Sequence, residues 1–234
     1  MYLIFKRIFD ITISLISLLI IMPICLPIIL ILKFTGEGEI FYLQKRIGLN
    51  NNYFNIIKFA TMLKNSPNMG NGTITIVNDP RVTKFGNILR KSKINELPQI
   101  INILKGDMSF IGPRPLPLSD FLDYSSDLQK LIYQIKPGLT GIGSVIFRDE
   151  EKYFNSRNLT AKDINKKYIS PYKGSLELWY QSNITFSTDM TILFLTFWTV
   201  IKSDSHLAYK IFKSLPEKPK ELSDVWIEDS QHQS

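Results

Sequence analysis

The feature that most constrains this chain is an uncharged apolar run that extends from Ile11 to Leu32. As a single helix the run is about 33 Å long, which is enough to cross the roughly 30 Å hydrocarbon layer of a bilayer. A secretory signal is not favoured, because the run exceeds the usual apolar region of about 7–15 residues and no small-residue cleavage site follows it. The sequence therefore predicts a membrane anchor.

Two prolines, Pro23 and Pro27, interrupt the apolar run. Each removes an intrahelical hydrogen bond and clashes with the preceding turn, so we expect a kink near the middle of the helix. The half that precedes the prolines is only about 18 Å long, roughly half of a bilayer. Cations stand on both sides of the run, with Lys6 and Arg7 before it and Lys33 after it. A re-entrant helix-break-helix is the preferred interpretation, and a kinked spanning helix is the alternative.

Composition narrows the classes of function that the rest of the chain can have. A chain of 234 residues with 44% hydrophobic and 21% charged residues is expected to fold and bury a core. The net charge of +7 favours an anionic partner such as nucleic acid, a phospholipid surface or a phosphorylated substrate, without selecting among them. One cysteine, Cys25, and two histidines, His206 and His232, exclude a disulfide framework, a Cys/His zinc cluster and most Ser-His or Cys-His catalysis.

Hydrophobic periodicity predicts an α+β, helix-rich fold. Short apolar runs on either side of an Asn-rich turn predict a small β-hairpin from residues 40–43 and 53–57. Helices are predicted at residues 82–91, 96–105, 121–134, 165–180 and 188–202.

The apolar part of the last helix, residues 190–201, is either a core helix or one that lies in the membrane interface, and partial membrane contact is the preferred interpretation. The predicted organisation is a re-entrant anchor at residues 1–35, a single compact cytosolic domain at 36–213, and a loosely held polar tail at 214–234.

A cationic stretch without any acid extends from Arg81 to Lys93. Arg90 is suited to phosphate, because a guanidinium group binds phosphate oxygens in a bidentate manner. The N–H groups at the start of the helix predicted at Glu96 would face the same anion. Asn95 also has a structural explanation as a helix N-cap, and Glu96 has one as a first-turn acid. The residues alone thus predict a membrane-anchored domain with a site for an anionic substrate.

The other cations of the stretch, Lys84, Lys91 and Lys93, are interpreted as a solvated helix face. Nucleic acid is not an expected partner, because the chain lacks the interleaved aromatic residues and basic clusters that such a surface needs.

Short motifs across most of the chain are similar to those of one known family. They are Lys6-Arg-x-x-Asp10, Gln44-x-Arg46-x-Gly48, Lys58-Phe59-x-Thr61-Met62, Asp79-Pro-Arg-Val-Thr83, Gly86-x-x-Leu-Arg90, Glu96-Leu-Pro-Gln99, Lys105-Gly-Asp-Met-Ser109, Gly112-Pro-Arg-Pro115 and Pro137-Gly-Leu-Thr-Gly141. Each position would match by chance about one time in twenty, so accident does not explain so many ordered matches. The chain resembles the bacterial sugar transferases, which are monotopic phosphoglycosyl transferases.

This resemblance implies a reaction at the cytosolic face of the bacterial inner membrane. Members transfer a sugar-1-phosphate from a UDP-sugar to undecaprenyl phosphate and release UMP, which begins polysaccharide or glycoprotein glycan assembly. They use Mg²⁺ and an Asp-Glu dyad whose Asp forms a covalent phosphosugar intermediate. The implied partners are the UDP-sugar donor, the undecaprenyl phosphate acceptor and membrane lipid, and a second copy of the chain is a further candidate.

The resemblance also implies roles for individual residues. The dyad positions are Asn95 and Glu96, which would carry catalysis and hold Mg²⁺. The substrate-binding positions would be Lys58, Arg81, Arg90, Pro113, Arg114, Pro115, Asp149 and Asp189. Arg90 would bind phosphate and Arg114 the nucleotide. Asp149 would face the sugar, with a solvated acidic turn as the alternative, and Asp189 would lie near the site, with an N-cap beside Thr188 as the alternative.

One departure from the family pattern concerns the chemistry directly, because Asn95 stands where the family has Asp. A neutral amide is a poor nucleophile and a weaker Mg²⁺ ligand than a carboxylate. Glu96 then acts as nucleophile or as a base for direct attack by the lipid phosphate, or the substitution traps a substrate complex, or the chain binds its ligands without turnover. An active enzyme is favoured, because Glu96, Arg90, Arg114 and Lys58 are all present. A second departure is Ala60, where the family often has Arg.

Overall fold

The computed structural model describes residues 2–69, 79–148, 150, 161–202 and 206–222. These residues divide into two compact units, Met1–Arg46 with Tyr53–Ser109 and Ile47–Asn52 with Phe110–Ser234. Each unit combines helices with a small two-stranded sheet, which confirms the predicted helix-rich α+β class.

In the first unit, helix α1 extends from Tyr2 to Phe34 without interruption. The segment remains helical through Pro23 and Pro27, so the two prolines do not end the helix, and the kink and the re-entrant course of the anchor stay predictions. The helix is about 50 Å long, and it is apolar enough to cross a membrane.

The beginning of α1 is fastened to the rest of its unit by polar contacts. The guanidinium group of Arg7 donates hydrogen bonds to the carbonyl oxygens of Ile103 and Leu104, at 2.6 and 2.8 Å. Three residues later the buried carboxylate of Asp10 accepts a hydrogen bond from the hydroxyl of Ser109, at 3.1 Å. The sequence motif that contains Arg7 and Asp10 thus joins the anchor to the folded part of the unit.

The far end of α1 is held by apolar packing. Ile28 and Leu32 are buried in one cluster with Phe59 and Leu89 of the same unit. Between the two attachments, most apolar side chains of the helix are exposed, including Leu19 at 76%. The helix therefore touches its own folded unit near both ends and leaves its middle uncovered.

The predicted hairpin is present and longer than expected. Strand β1 (Phe41–Ile47) pairs with β2 (Tyr53–Phe59), and a short 3-10 turn (Leu49–Asn51) joins them. Asn50 and Asn51 adopt φ angles of +52° and +60°. Asparagine tolerates this left-handed conformation better than most residues, which explains the Asn-rich turn.

Helix α2 (Lys84–Lys91) begins at an N-cap, Thr83, whose hydroxyl accepts a hydrogen bond from the Gly86 N–H at 2.9 Å. The helix predicted at 96–105 is divided into a 3-10 turn (Ile94–Glu96) and α3 (Gln99–Lys105).

The prediction that Asn95 is an N-cap is wrong, because Pro98 occupies that position for α3 and Asn95 lies within the 3-10 turn. The physical reason is the left-handed Lys93, with φ of +59°, which ends α2 and redirects the chain.

In the second unit, β3 (Ser109–Ile111) pairs with β4 (Gly138–Thr140). The helices are α4 (Leu118–Phe121), α5 (Ser126–Leu131), α6 (Ile142–Ile146), α7 (Ala161–Ile164), a π-helical turn (Asn165–Ile169), α8 (Ser170–Ser182), α9 (Phe186–Ile201) and α10 (His206–Ile211). The single helix predicted at 121–134 is wrong, because Ser125 caps a new helix by accepting a hydrogen bond from the Leu128 N–H.

Helix α9 has one buried and one exposed apolar face. Ile192 and Leu195 are fully buried, whereas Phe194, Phe197 and Ile201 are exposed. This pattern agrees with the expectation of an interfacial helix. In the described part of the predicted tail, 214–222, both Leu215 and Leu222 are buried.

Candidate functional site

The first unit places Lys58 and Glu96 side by side. Lys58 lies near the end of β2, and Glu96 ends the 3-10 turn that packs against this strand. The Lys58 Nζ atom donates to Glu96 Oε1 at 3.1 Å, and the two side chains are 15% and 19% exposed. A partly buried ion pair of this kind offers both a carboxylate and a cation to a substrate.

The two positions of the expected dyad differ in exposure. Asn95 is 7% exposed and lies within the 3-10 turn, whereas the neighbouring Glu96 side chain is 19% exposed. The carboxylate is thus the more accessible member of the pair.

Arg90 is half-buried in the last turn of α2, and α2 packs against the 3-10 turn that carries Glu96. The expected anion site at a helix start does not form as predicted, because α3 begins three residues after Glu96. Lys84, Lys91 and Lys93 are exposed, which confirms the solvated face.

Arg81 is directed into its own loop. Its guanidinium group binds both carboxylate oxygens of Asp79, at 2.9 and 2.6 Å, and also donates to the carbonyl oxygens of Ser66 and Met69. Both members of the ion pair are buried. These contacts give Arg81 a structural role in closing the loop, beside the substrate-binding role that the resemblance implies.

The second unit contains the Gly112-Pro-Arg-Pro115 motif. Pro113 and Pro115 are buried, and the Arg114 side chain between them is exposed. The Arg114 carbonyl oxygen accepts a hydrogen bond from the Tyr133 hydroxyl at 2.6 Å. The motif therefore fixes its backbone while it presents a cation at the surface of the unit.

The remaining predicted acids have different positions. Asp189 is buried in α9, where it accepts a 2.6 Å hydrogen bond from the Tyr180 hydroxyl. The N-cap interpretation of Asp189 is wrong, because Thr185 caps α9 by accepting from the Thr188 N–H. Asp149 lies outside the described residues.

Glu177 is a functional candidate that the sequence did not indicate. It lies in α8, is 3% exposed, and accepts a hydrogen bond from the backbone N–H of Arg114. Burial raises the pKa of Glu177 to about 8, although the contacts with Arg114 and the charge of Lys173 lower the pKa. A single acidic residue in a helix with both polar and apolar residues has no sequence pattern that predicts its burial.

The carboxylates of the first unit are compatible with Mg²⁺ only if the substrate supplies further ligands. Among the described residues, no group of three or more His, Cys, Asp or Glu side chains is placed to hold a metal. Mg²⁺ typically binds one or two carboxylates together with substrate phosphates and waters. Glu96, whose side chain is partly exposed, fits that kind of shared site, and the Asn95 oxygen as a second ligand stays a prediction.

Comparison with known proteins gives consistent matches. Residues 1–203 match the family model described as bacterial sugar transferase. The chain is 35% identical over 201 residues to the uncharacterized sugar transferase EpsL of Bacillus subtilis, which covers 86% of this chain and 89% of that protein.

Two longer relatives have specific names. The chain is 33% identical to the UDP-N-acetylgalactosamine-undecaprenyl-phosphate N-acetylgalactosaminephosphotransferase of Aeromonas hydrophila, over 82% of this chain and 44% of that protein. It is 34% identical to the undecaprenyl-phosphate galactose phosphotransferase of Salmonella typhimurium, over 85% of this chain and 41% of that protein.

Proposed function

The chain belongs to the bacterial sugar transferase family, and from this premise we propose that it transfers a sugar-1-phosphate from a UDP-sugar to undecaprenyl phosphate. A phosphate oxygen of the lipid becomes bonded to the β-phosphorus of the donor. The bond from this phosphorus to the bridging oxygen breaks, and UMP leaves with that oxygen. The product is a polyprenyl-diphospho-sugar that stays in the membrane.

The observation that carries this proposal is the ion pair of Lys58 and Glu96 in the unit that also holds the anchor. A lone carboxylate would repel a diphosphate, but an adjacent ammonium offsets its charge. Lys58 therefore allows a substrate phosphate to approach the Glu96 carboxylate. Arg90 adds a second cation on the neighbouring helix of the same unit.

We assign to Glu96 the reactive role that an aspartate at position 95 has in the family. Glu96 carries the carboxylate of the dyad and is the more exposed of the two residues. It acts either as nucleophile or as a base for attack by the lipid phosphate. Glu96 would hold Mg²⁺, and the ion would supply charge neutralisation of the leaving group. Asn95, next to Glu96, would contribute a neutral side-chain oxygen as a second ligand of the ion.

The attachment of α1 supports a monotopic anchor, and we propose that the catalytic unit lies on the cytoplasmic side. Contacts near both Arg7 and Leu32 reach the same folded unit, while the apolar middle of the helix is exposed. A helix that crossed the membrane fully would separate these two attachments on opposite faces. The expected location of the protein is the bacterial inner membrane.

The direct test measures UMP release from a panel of UDP-sugars with undecaprenyl phosphate and Mg²⁺. The full chain is compared with Asn95→Asp and Glu96→Gln, and Lys84→Ala is the control for an exposed cation outside the pair. We expect turnover by the full chain, loss of turnover in Glu96→Gln and no change in Lys84→Ala. Turnover that survives in Glu96→Gln would contradict the role of Glu96.

The amide at Asn95 favours a second candidate function, in which the chain binds the nucleotide sugar or the lipid without turnover. This candidate predicts no UMP release by the chain as it stands and a gain of release in Asn95→Asp. Binding of UDP-sugar to an inactive chain would support it.

A further inference from the structure

The backbone of Arg114 is held at both of its polar groups by buried side chains. Its N–H donates to the carboxyl group of Glu177, and its carbonyl oxygen accepts from the Tyr133 hydroxyl at 2.6 Å. The same hydroxyl accepts a hydrogen bond from the Leu116 N–H at 2.9 Å. Glu177 and Tyr133 are 3% and 1% exposed. Two interior side chains thus fix one residue whose own side chain is exposed.

The space for the Glu177 carboxyl group is created by a glycine. A Cβ atom at Gly143 would lie 2.5 Å from Glu177 Oε1, so any larger residue there would displace the carboxyl group. Within the described residues, the other oxygen, Oε2, makes no hydrogen bond. A buried polar atom without a partner is costly. The contact that offsets this cost is the hydrogen bond that the carboxyl group accepts from the Arg114 N–H.

The strand that follows the motif is bound to it as well. The N–H of Gly138 donates to the carbonyl oxygen of Pro113 at 2.9 Å, and the N–H of Gly112 donates to the carbonyl oxygen of Thr140 at 3.0 Å. A Cβ atom at Gly138 would lie 2.1 Å from the Gly112 nitrogen, so only glycine permits this approach. The segment on either side of Arg114 is thereby held rigidly within its unit.

From this geometry we propose that Glu177 and Tyr133 are positioning residues that hold the Arg114 backbone so that its guanidinium group is presented to the anionic donor. This inference rests on the proposed function and on the nucleotide contact that the family resemblance implies for Arg114. A fixed backbone removes the backbone part of the ordering cost that Arg114 would otherwise incur when it binds an anion. Glu177 acts through Arg114 and does not touch the substrate.

The test is a double-mutant cycle on the full chain in detergent, with the KM for the UDP-sugar and kcat measured separately. Glu177→Met removes the hydrogen-bond acceptor and keeps a similar volume, whereas Glu177→Gln keeps an acceptor oxygen. We expect Glu177→Met to raise the donor KM about ten-fold with little change in kcat. Glu177→Gln is expected to restore a donor KM close to that of the unmodified chain.

The decisive comparison is made in an Arg114→Ala background. If Glu177 acts through Arg114, Glu177→Met produces no further rise of the donor KM there. An equal rise in both backgrounds, or no rise in either, would overturn the proposal. Tyr133→Phe is the second, independent variant, and it is expected to raise the donor KM and to lose that effect with Arg114→Ala.

Tyr172→Phe is the matched control, because it removes a buried hydroxyl of the same helix that bonds Tyr209 and Pro216 instead of Arg114. We expect it to leave the donor KM unchanged, and a rise equal to that of Glu177→Met would overturn the proposal. The proposed function and this inference can be told apart by their failures. Absence of turnover in the unmodified chain with every donor would overturn both. Additive effects of Glu177→Met and Arg114→Ala on the donor KM in an active enzyme would overturn this inference alone.

Discussion

The Nζ atom of Lys58 lies 3.1 Å from Oε1 of Glu96, and this pair joins the second strand of the hairpin to the turn that precedes α3. The hairpin and the turn come from distant parts of the sequence. Their packing therefore brings together a cation and a carboxylate, and it leaves both partly accessible.

Replacement of Lys58 by Met should lower UMP release at least about ten-fold, because the cation that offsets the Glu96 carboxylate is lost. The two side chains are only 15% and 19% exposed, so loss of the cation should also lower the folding free energy, on the order of 1–3 kcal/mol. Lys58→Arg should recover part of the activity. Steady-state kinetics and thermal unfolding measure the two effects, and a large loss of stability with normal kinetics would contradict the assignment.

Glu177 should make the stability of the protein depend on pH. Its pKa in the folded state is about 8, raised by burial from an ordinary value of 4.5, while the charges of Lys173 and Arg114 act in the opposite direction. As the pH rises, the Glu177 carboxyl group loses its proton in the unfolded chain before it does so in the folded protein. The free energy of unfolding is therefore highest below about pH 4.5 and falls as the pH rises towards about 8.

Glu177→Gln should remove this pH dependence. The difference between the two proteins is expected to reach up to about 5 kcal/mol across that pH window. Denaturant unfolding at a series of pH values measures it. Parallel pH profiles for the unmodified chain and the variant would show that Glu177 is not buried as described.

Lys93 should be replaceable by glycine with a gain in stability. Its φ angle of +59° is in the left-handed region, which costs a side chain with a Cβ atom roughly 1 kcal/mol. Lys93→Gly should therefore stabilise the chain by about 0.5–1 kcal/mol, and Lys93→Val should destabilise it. Thermal unfolding of the two variants is the measurement, and the opposite order would exclude a left-handed residue 93.

The anchor can be tested by cysteine labelling, since Cys25 is the only cysteine of the chain. In a Cys25→Ser background, new cysteines at Leu3 and Thr35 mark the two ends of α1. A monotopic anchor predicts that both are protected from a membrane-impermeant maleimide in intact spheroplasts and labelled after permeabilisation. Labelling of either end in intact spheroplasts would indicate a spanning helix.

Local chemistry allowed several features to be predicted from the sequence. The Asn-rich turn predicted the hairpin, because asparagine accepts the conformation that Asn50 and Asn51 adopt. The apolar pattern of α9 predicted a helix with an uncovered face. Both features depend on residues close together in the chain.

Other features depend on contacts between distant residues and could not be read from local patterns. The position of Asn95 follows from the left-handed Lys93 and from Pro98, so the N-cap prediction was wrong. Glu177 becomes buried because Gly143, more than thirty positions earlier, leaves room for its carboxyl group. The cations between Arg81 and Lys93 do not share one surface, because Arg81 is bound by Asp79 within its own loop.

The role of Glu96 in transfer is the central claim, and detection of the lipid product tests it most directly. Membranes that contain the full chain or Glu96→Gln are supplied with undecaprenyl phosphate, Mg²⁺ and a UDP-sugar labelled in the sugar. We predict labelled polyprenyl-diphospho-sugar from the full chain and none from Glu96→Gln. Equal amounts of labelled lipid from both proteins would contradict the claim.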